Sequence, residues 1–143
     1  MLDAAAIKPG ETLYDLGCGD GRILVTAVQK YRVKSAVGVE LLPVLARDAR
    51  DNAQRNGLQN SVTVIEGDAH DVDLSKADVV TIYMSTDFND ELKPRLEKYL
   101  HPGARVVTYE FPIPGWKPKR TERADTTNRK HLIYVYQMPP VKK

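Results

Sequence analysis

The 143-residue chain holds a single cysteine, Cys18, so it can form no internal disulfide and assemble no cysteine-rich zinc site. A reducing, cytoplasmic setting is the expectation from that scarcity. No apolar run approaches the roughly 18 residues that span a bilayer, so no membrane insertion is expected. The opening Met1-Leu2-Asp3-Ala4-Ala5-Ala6 lacks the basic stretch and the apolar stretch of a signal peptide. Histidine is scarce too: His70, His101 and His131 lie far apart, without paired-ligand spacing, so no metal site is expected. Repeats, low-complexity stretches and dividing linkers are all missing. Residues 1–143 therefore read as one domain, expected to be a monomer.

Charge is plentiful but unevenly spread. Residues 1–100 carry 12 Lys+Arg against 16 Asp+Glu, whereas residues 101–143 carry 9 against 3. The net charge of +2 conceals that contrast. Lys117, Lys119, Arg120, Arg123, Arg129 and Lys130 form either a solvated face or an edge that attracts phosphates or an acidic partner.

Short strand-like runs alternate with helical spacing along the chain. Strands are expected at 12–16, 35–40, 62–65, 78–83, 105–109 and 132–136. Helices are expected at 22–31, from Pro43 to the Asn56-Gly57 stop, and at 89–100 with Pro94 in about the first turn. The segment from Phe111 to Lys119 has three prolines and reads as neither helix nor central strand. The fold class is α/β: a Rossmann-like, mostly parallel open sheet with helices on both faces. No helix pattern separates the last two strands, so an antiparallel C-terminal edge pair is expected.

The strongest signal is Tyr14-Asp15-Leu16-Gly17-Cys18-Gly19-Asp20-Gly21-Arg22, which follows a strand and opens a helix. It is not the dinucleotide pattern G-x-G-x-x-G, because Arg22 stands at the third glycine position. The P-loop pattern is absent as well. Asp15 and Asp20 add negative charge where a phosphate would need bare N–H groups. A ligand bearing ammonium and sulfonium cations suits that mouth better. Glu40, at the end of the second strand, can accept hydrogen bonds from two ribose hydroxyls. Asp68 and Ala69, after the third strand, offer an acceptor for an exocyclic adenine amine and an N–H for a ring nitrogen.

These residues resemble the class I S-adenosyl-L-methionine-dependent methyltransferases. The resemblance implies S-adenosyl-L-methionine as cofactor, with Asp15, Gly17, Gly19 and Gly21 in the methionine-binding loop. It implies Glu40 at the ribose, Leu41 beside the adenine, and Asp68 with Ala69 reading that base. Tyr83-Met84-Ser85-Thr86-Asp87 falls where the acceptor meets the sulfonium, and it is not the N-P-P-[YF] or D-P-P-Y tetrad of amino-methylating DNA and glutamine enzymes. Leu92-Lys93-Pro94-Arg95-Leu96, Pro102-Gly103-Ala104-Arg105-Val106-Val107, Glu110-Phe111 and Gly115-Trp116-Lys117-Pro118 are similar to the small archaeal protein-lysine methyltransferases. Mitochondrial relatives of that group methylate a lysine on the ATP synthase c subunit. The group carries a further N-terminal segment rich in Pro and Thr over the cofactor, and this chain is expected to begin inside the helix that follows it.

The resemblance implies protein substrates and transfer to lysine amines by in-line displacement, which is mostly a matter of proximity and orientation. Tyr83, Phe111 and Trp116 are expected to wall an apolar slot. Glu110 is expected to dock the amine, with no residue assigned as general base. The alternatives are an RNA or small-molecule methyltransferase and a non-catalytic S-adenosyl-L-methionine-binding module.

Overall fold

Five parallel strands carry the scaffold: β1 (Thr12–Leu16), β2 (Ser35–Glu40), β3 (Val62–Glu66), β4 (Val79–Ile82) and β5 (Arg105–Tyr109). The computed structural model describes residues 1–126 and 129–143, and side chains outside 125–130. Beyond β5 come β6 (Trp116–Lys117), β7 (Arg120–Thr126), β8 (Arg129–Gln137) and β9 (Val141–Lys142). The main sheet runs β3-β2-β1-β4-β5-β8-β7, and β6 with β9 makes a separate two-stranded sheet. β8 is antiparallel to β5, and β7 is antiparallel to β8.

Helices α1 (Arg22–Gln29), α2 (Pro43–Arg55) and α3 (Thr86–Tyr99) cover the two faces. Alternation along β1 shows how. Leu13 joins a core with Leu24 and Ala27 of α1 and Ala46, Ala49 and Ala53 of α2. Its neighbours Tyr14 and Leu16 belong to a different core, with Leu92 and Leu96 of α3, Trp116 and Tyr136. Strands covered on both sides are buried at successive positions, as in Val79-Val80-Thr81-Ile82 of β4, whereas β3 at the sheet edge alternates with exposed Thr63 and Glu66. Each fully buried Leu is worth about 1.5–3 kcal/mol. Among the described residues no helix is long and apolar enough to cross a membrane.

Several expectations need correction. α3 begins three residues earlier than its apolar spacing suggests, because the Ser85 hydroxyl caps it by accepting from the Phe88 N–H at 3.0 Å. Pro94 consequently sits in the helix interior rather than the first turn. The last two expected strands, β5 and β8, do form an antiparallel pair, and β7, which was not expected, adds a further antiparallel strand beyond β8. The chain does not begin in a helix: residues 2–6 form turns, with Ala6 at φ +50°. Leu2, Ala4, Ala5 and Ile7 nevertheless pack into the α1–α2 core. Arg105 anchors this segment from β5, donating from Nε to the Ala5 carbonyl at 2.9 Å and gripping Glu11 at 2.6 and 3.0 Å.

Candidate active site

The strand order turns back between β1 and β4, and such a switch point opens a crevice at the carboxyl ends of the strands. Most of the residues singled out for a cofactor meet there. Gly17, Glu40, Leu41, Asp68 and Ala69 border one groove of about 210 Å³, together with His70, Met84 and Phe88. Asp15 is buried at the end of β1, and Gly19 joins through its N–H. Gly21 does not border the groove. It caps α1 at φ +81°, and a Cβ there would press on Ala49 at 3.0 Å, so its place lets α1 approach α2.

The loop spends its donors internally. Gly17 and Cys18 both donate their N–H to the Val39 carbonyl, at 2.8 and 3.1 Å. Gly19 donates to Glu40 Oε1 at 2.9 Å, and Leu42 donates to Glu40 Oε2 at 3.1 Å. A phosphate cradle needs open N–H groups, and these four are taken. A carboxylate has about four lone-pair sites, so Glu40 keeps capacity for two hydroxyls after accepting these two bonds.

Asp15 accepts from Thr81 Oγ1 at 2.8 Å. Burial, aided by the Glu40 charge and opposed by the Thr81 bond, pushes its carboxyl up to about 7. Cys18 is buried beside the same two acids, and burial together with their charges pushes its thiol up to about 12, which leaves it protonated. Asp20, expected to add charge at the mouth, is matched by Arg22 at 2.8 Å. The Arg22 hydrogen bond, ahead of smaller effects, holds Asp20 below the usual carboxylate range. The acidity of the loop side therefore rests on Glu40, with Asp15 buried beside it.

Asp68 caps a single 3₁₀ turn, Ala69–Asp71. Its Oδ1 accepts from the His70 N–H at 2.9 Å and lies 2.7 Å from His70 Nδ1. These contacts, the backbone bond foremost, hold the Asp68 carboxyl below its usual range. Phe88 meets the His70 ring edge-on, with centroids 5.1 Å apart. A carboxylate held charged beside small residues suits an amine-bearing base, and Glu40 across the groove suits hydroxyls, the two kinds of donor an adenosyl group carries.

A second cluster stands at the tips of β4 and β5. Tyr83, half exposed, donates from its hydroxyl to Glu110 Oε2 at 3.2 Å. Its ring meets Tyr109 edge-on at 4.8 Å and Phe111 at 6.3 Å. Glu110 Oε1 is paired with His131 Nδ1, and the His131 ring stacks on Tyr109 at 5.2 Å. Glu110 is a non-glycine residue at φ +67°, a conformation concentrated at functional sites. A hollow of about 480 Å³ is bordered by Tyr83 and Tyr109 together with Ile23 and Tyr31.

Trp116 does not join this cluster. It is 1% exposed, sits in the α3-side core against Tyr136, and donates from Nε1 to Glu97 at 3.2 Å. The Pro-rich segment folds its indole under α3 instead of leaving it beside Tyr83. Sequence reasoning missed Tyr109 and His131. Tyr109 could have been found as the neighbour of Glu110, whereas nothing local marks His131.

Among the described residues, no three His, Cys, Asp or Glu side chains are grouped to hold a metal. Of the C-terminal basic residues, Lys119 donates to Gln137 at 2.5 Å and Arg120 to Glu122 at 2.7 Å. The side chains of Arg129 and Lys130 lie outside the described residues.

The sheet order, the glycine loop closed on Glu40 and the groove between Glu40 and Asp68 are those of an S-adenosyl-L-methionine-dependent methyltransferase. The model of the ANTKMT methyltransferase domain matches residues 15–120, and the chain belongs to that family. It is 44% identical over 136 residues to a protein-lysine N-methyltransferase of Saccharolobus islandicus, covering 95% of this chain and 84% of that one. It is 38% identical over 111 residues to the adenine nucleotide translocase lysine N-methyltransferase of Mus musculus, covering 78% of this chain and 48% of that protein. The chain thus spans about half the length of that mouse relative. Among solved structures, a Salinibacter ruber protein described as an RNA methyltransferase, in complex with S-adenosyl-L-homocysteine, superimposes with a TM-score of 0.88. It is 36% identical, covering 96% of this chain and 87% of that one.

Proposed function

We propose that the protein transfers methyl groups to lysine side-chain amines of other proteins. The observation that carries this reading is the carboxylate of Glu110 set among Tyr83, Tyr109 and Phe111, at the strand tips that also carry the donor groove. Such a cluster suits a cationic amine on an alkyl stem, and the relatives named for lysine transfer support it.

When bound, S-adenosyl-L-methionine supplies a sulfonium-borne methyl group for in-line displacement by the amine. Glu40 holds the ribose, Leu41 covers the adenine, and Asp68 with Ala69 reads the base edge. Asp15, Gly17 and Gly19 shape the methionine end, with Gly21 acting through the placement of α1. A lysine must present a neutral amine, and neutralising it near pH 7 costs about 4–5 kcal/mol from a free pKa of about 10.4. The aromatic walls lower that cost by desolvating the ammonium. Glu110 draws the amine in and orients it. Residues 1–143 act as one methyltransferase domain, a cytoplasmic monomer in this reading.

The test supplies methyl-labelled cofactor with protein, RNA and metabolite fractions and maps the labelled atom. Label on lysine Nζ supports the proposal. Label confined to RNA replaces it with the RNA reading, which the C-terminal basic residues and the description of the Salinibacter protein favour. Tight cofactor binding with no labelled acceptor leaves a binding module.

A further inference from the structure

We infer that His131 is the positioning residue that sets Glu110 for the incoming lysine; the inference rests on the lysine reading above. Glu110 follows the last residue of β5, and its N–H donates to the Leu132 carbonyl of β8 at 2.8 Å. The antiparallel ladder between β5 and β8 therefore delivers His131 to the same tip, although 21 residues separate the two in sequence. The two oxygens of the Glu110 carboxylate have different partners. Oε2 takes the Tyr83 hydroxyl at 3.2 Å, a long bond from a half-exposed side chain. Oε1 takes His131 Nδ1, from a ring that is itself buried.

A buried ring stacked on Tyr109 has little freedom to turn, so of the two partners His131 is the one that fixes the carboxylate plane. With two sites filled, the remaining lone pairs are left for an ammonium. His131 does not border the donor groove, and on the acceptor side it touches Glu110 and Tyr109. Its effect passes through Glu110, so it shows in how well the acceptor docks and not in how well the cofactor binds.

Two substitutions separate the hydrogen bond from the ring. His131→Phe keeps a ring to stack on Tyr109 and removes the donor. His131→Asn keeps an N–H near the position of Nδ1 and removes most of the ring. The probe is a lysine-bearing synthetic peptide, with S-adenosyl-L-methionine at saturation, and S-adenosyl-L-homocysteine affinity measured beside it by calorimetry. The expected result for His131→Phe is a KM for the peptide raised about tenfold, the scale of one charge-assisted hydrogen bond. Its kcat should fall less than about twofold, and its affinity for S-adenosyl-L-homocysteine should stay within about twofold of the wild type. His131→Asn should recover most of the lost KM. Peptide KM unchanged in His131→Phe overturns the inference. So does a loss of cofactor affinity parallel to the loss of docking, or an Asn variant no better than the Phe variant. A wild-type protein that binds S-adenosyl-L-homocysteine yet labels no lysine overturns the lysine reading first, and this inference with it.

Discussion

Thr81 Oγ1 donates to Asp15 Oδ1 at 2.8 Å, across two strands that are neighbours in the sheet and 66 residues apart in the chain. This bond is a buried polar contact for a carboxyl sealed at the end of β1, where the glycine loop begins.

Asp15 makes the donor site sensitive to pH. Its carboxyl, ordinarily near 3.8, is raised by burial to about 7, so it gains its charge only as the pH climbs through neutrality. A cationic cofactor favours the charged form. Affinity for S-adenosyl-L-methionine should therefore be about tenfold stronger at about pH 8 than at about pH 6, with proton release on binding near neutrality. The linkage for folding runs the opposite way. The unfolded carboxyl ionises from about 3.8 while the folded one stays neutral, so stability from this group is full below that value and is lost as pH rises to about 7. Asp15→Asn should remove a loss of at most about 4 kcal/mol, raising Tm at about pH 8 and leaving it unchanged at about pH 3.5. Calorimetry across pH and thermal unfolding at the two values check both statements.

Gly17 sits at φ +75°, and a Cβ on it would overlap Met84 Sδ. Gly17→Ala should lower stability by about 1–2 kcal/mol for the left-handed backbone and weaken cofactor binding as well. The Met84 tip is flexible, so adding Met84→Ala should relieve the overlap and restore part of the affinity. The backbone cost should persist in the Tm of the double variant.

Glu40 links two functions, since it holds the loop through Gly19 and Leu42 while bordering the groove. Glu40→Ala leaves two N–H groups without their acceptor and removes the ribose contact. Affinity for S-adenosyl-L-homocysteine should fall by about 1–3 kcal/mol, as read by calorimetry.

Trp116 separates a core role from a slot role. Trp116→Ala should lower stability by about 3–5 kcal/mol through the cavity left under α3. The fraction that remains folded should bind S-adenosyl-L-homocysteine as the wild type does. A variant with normal Tm and a raised acceptor KM would instead put the indole back in the slot.

What could be read from residue order alone follows the physics of each element. The parallel strands were legible because both faces are covered, which forces unbroken buried runs such as Val79-Val80-Thr81-Ile82. β7 was not, because Arg120-Thr121-Glu122-Arg123 is polar and its place depends on pairing with β8. The donor residues were legible because loop, strand end and turn chemistry are local. Trp116 and His131 were not, since a long-range packing choice buries one and a strand ladder brings the other to Glu110. Asp20 carried a visible charge, but its pairing with Arg22 depends on the side-chain rotamers.

The two residues that follow β4 engage different partners: Tyr83 reaches Glu110, whereas Met84 lies over Gly17. The chain bends at Met84, just past the end of β4, and the two side chains part there, so this dipeptide straddles the seam where donor and acceptor must meet. Inserting one residue between Ile82 and Tyr83 would carry the phenol away from Glu110 and the thioether away from Gly17 together, uncoupling the acceptor side from the donor side.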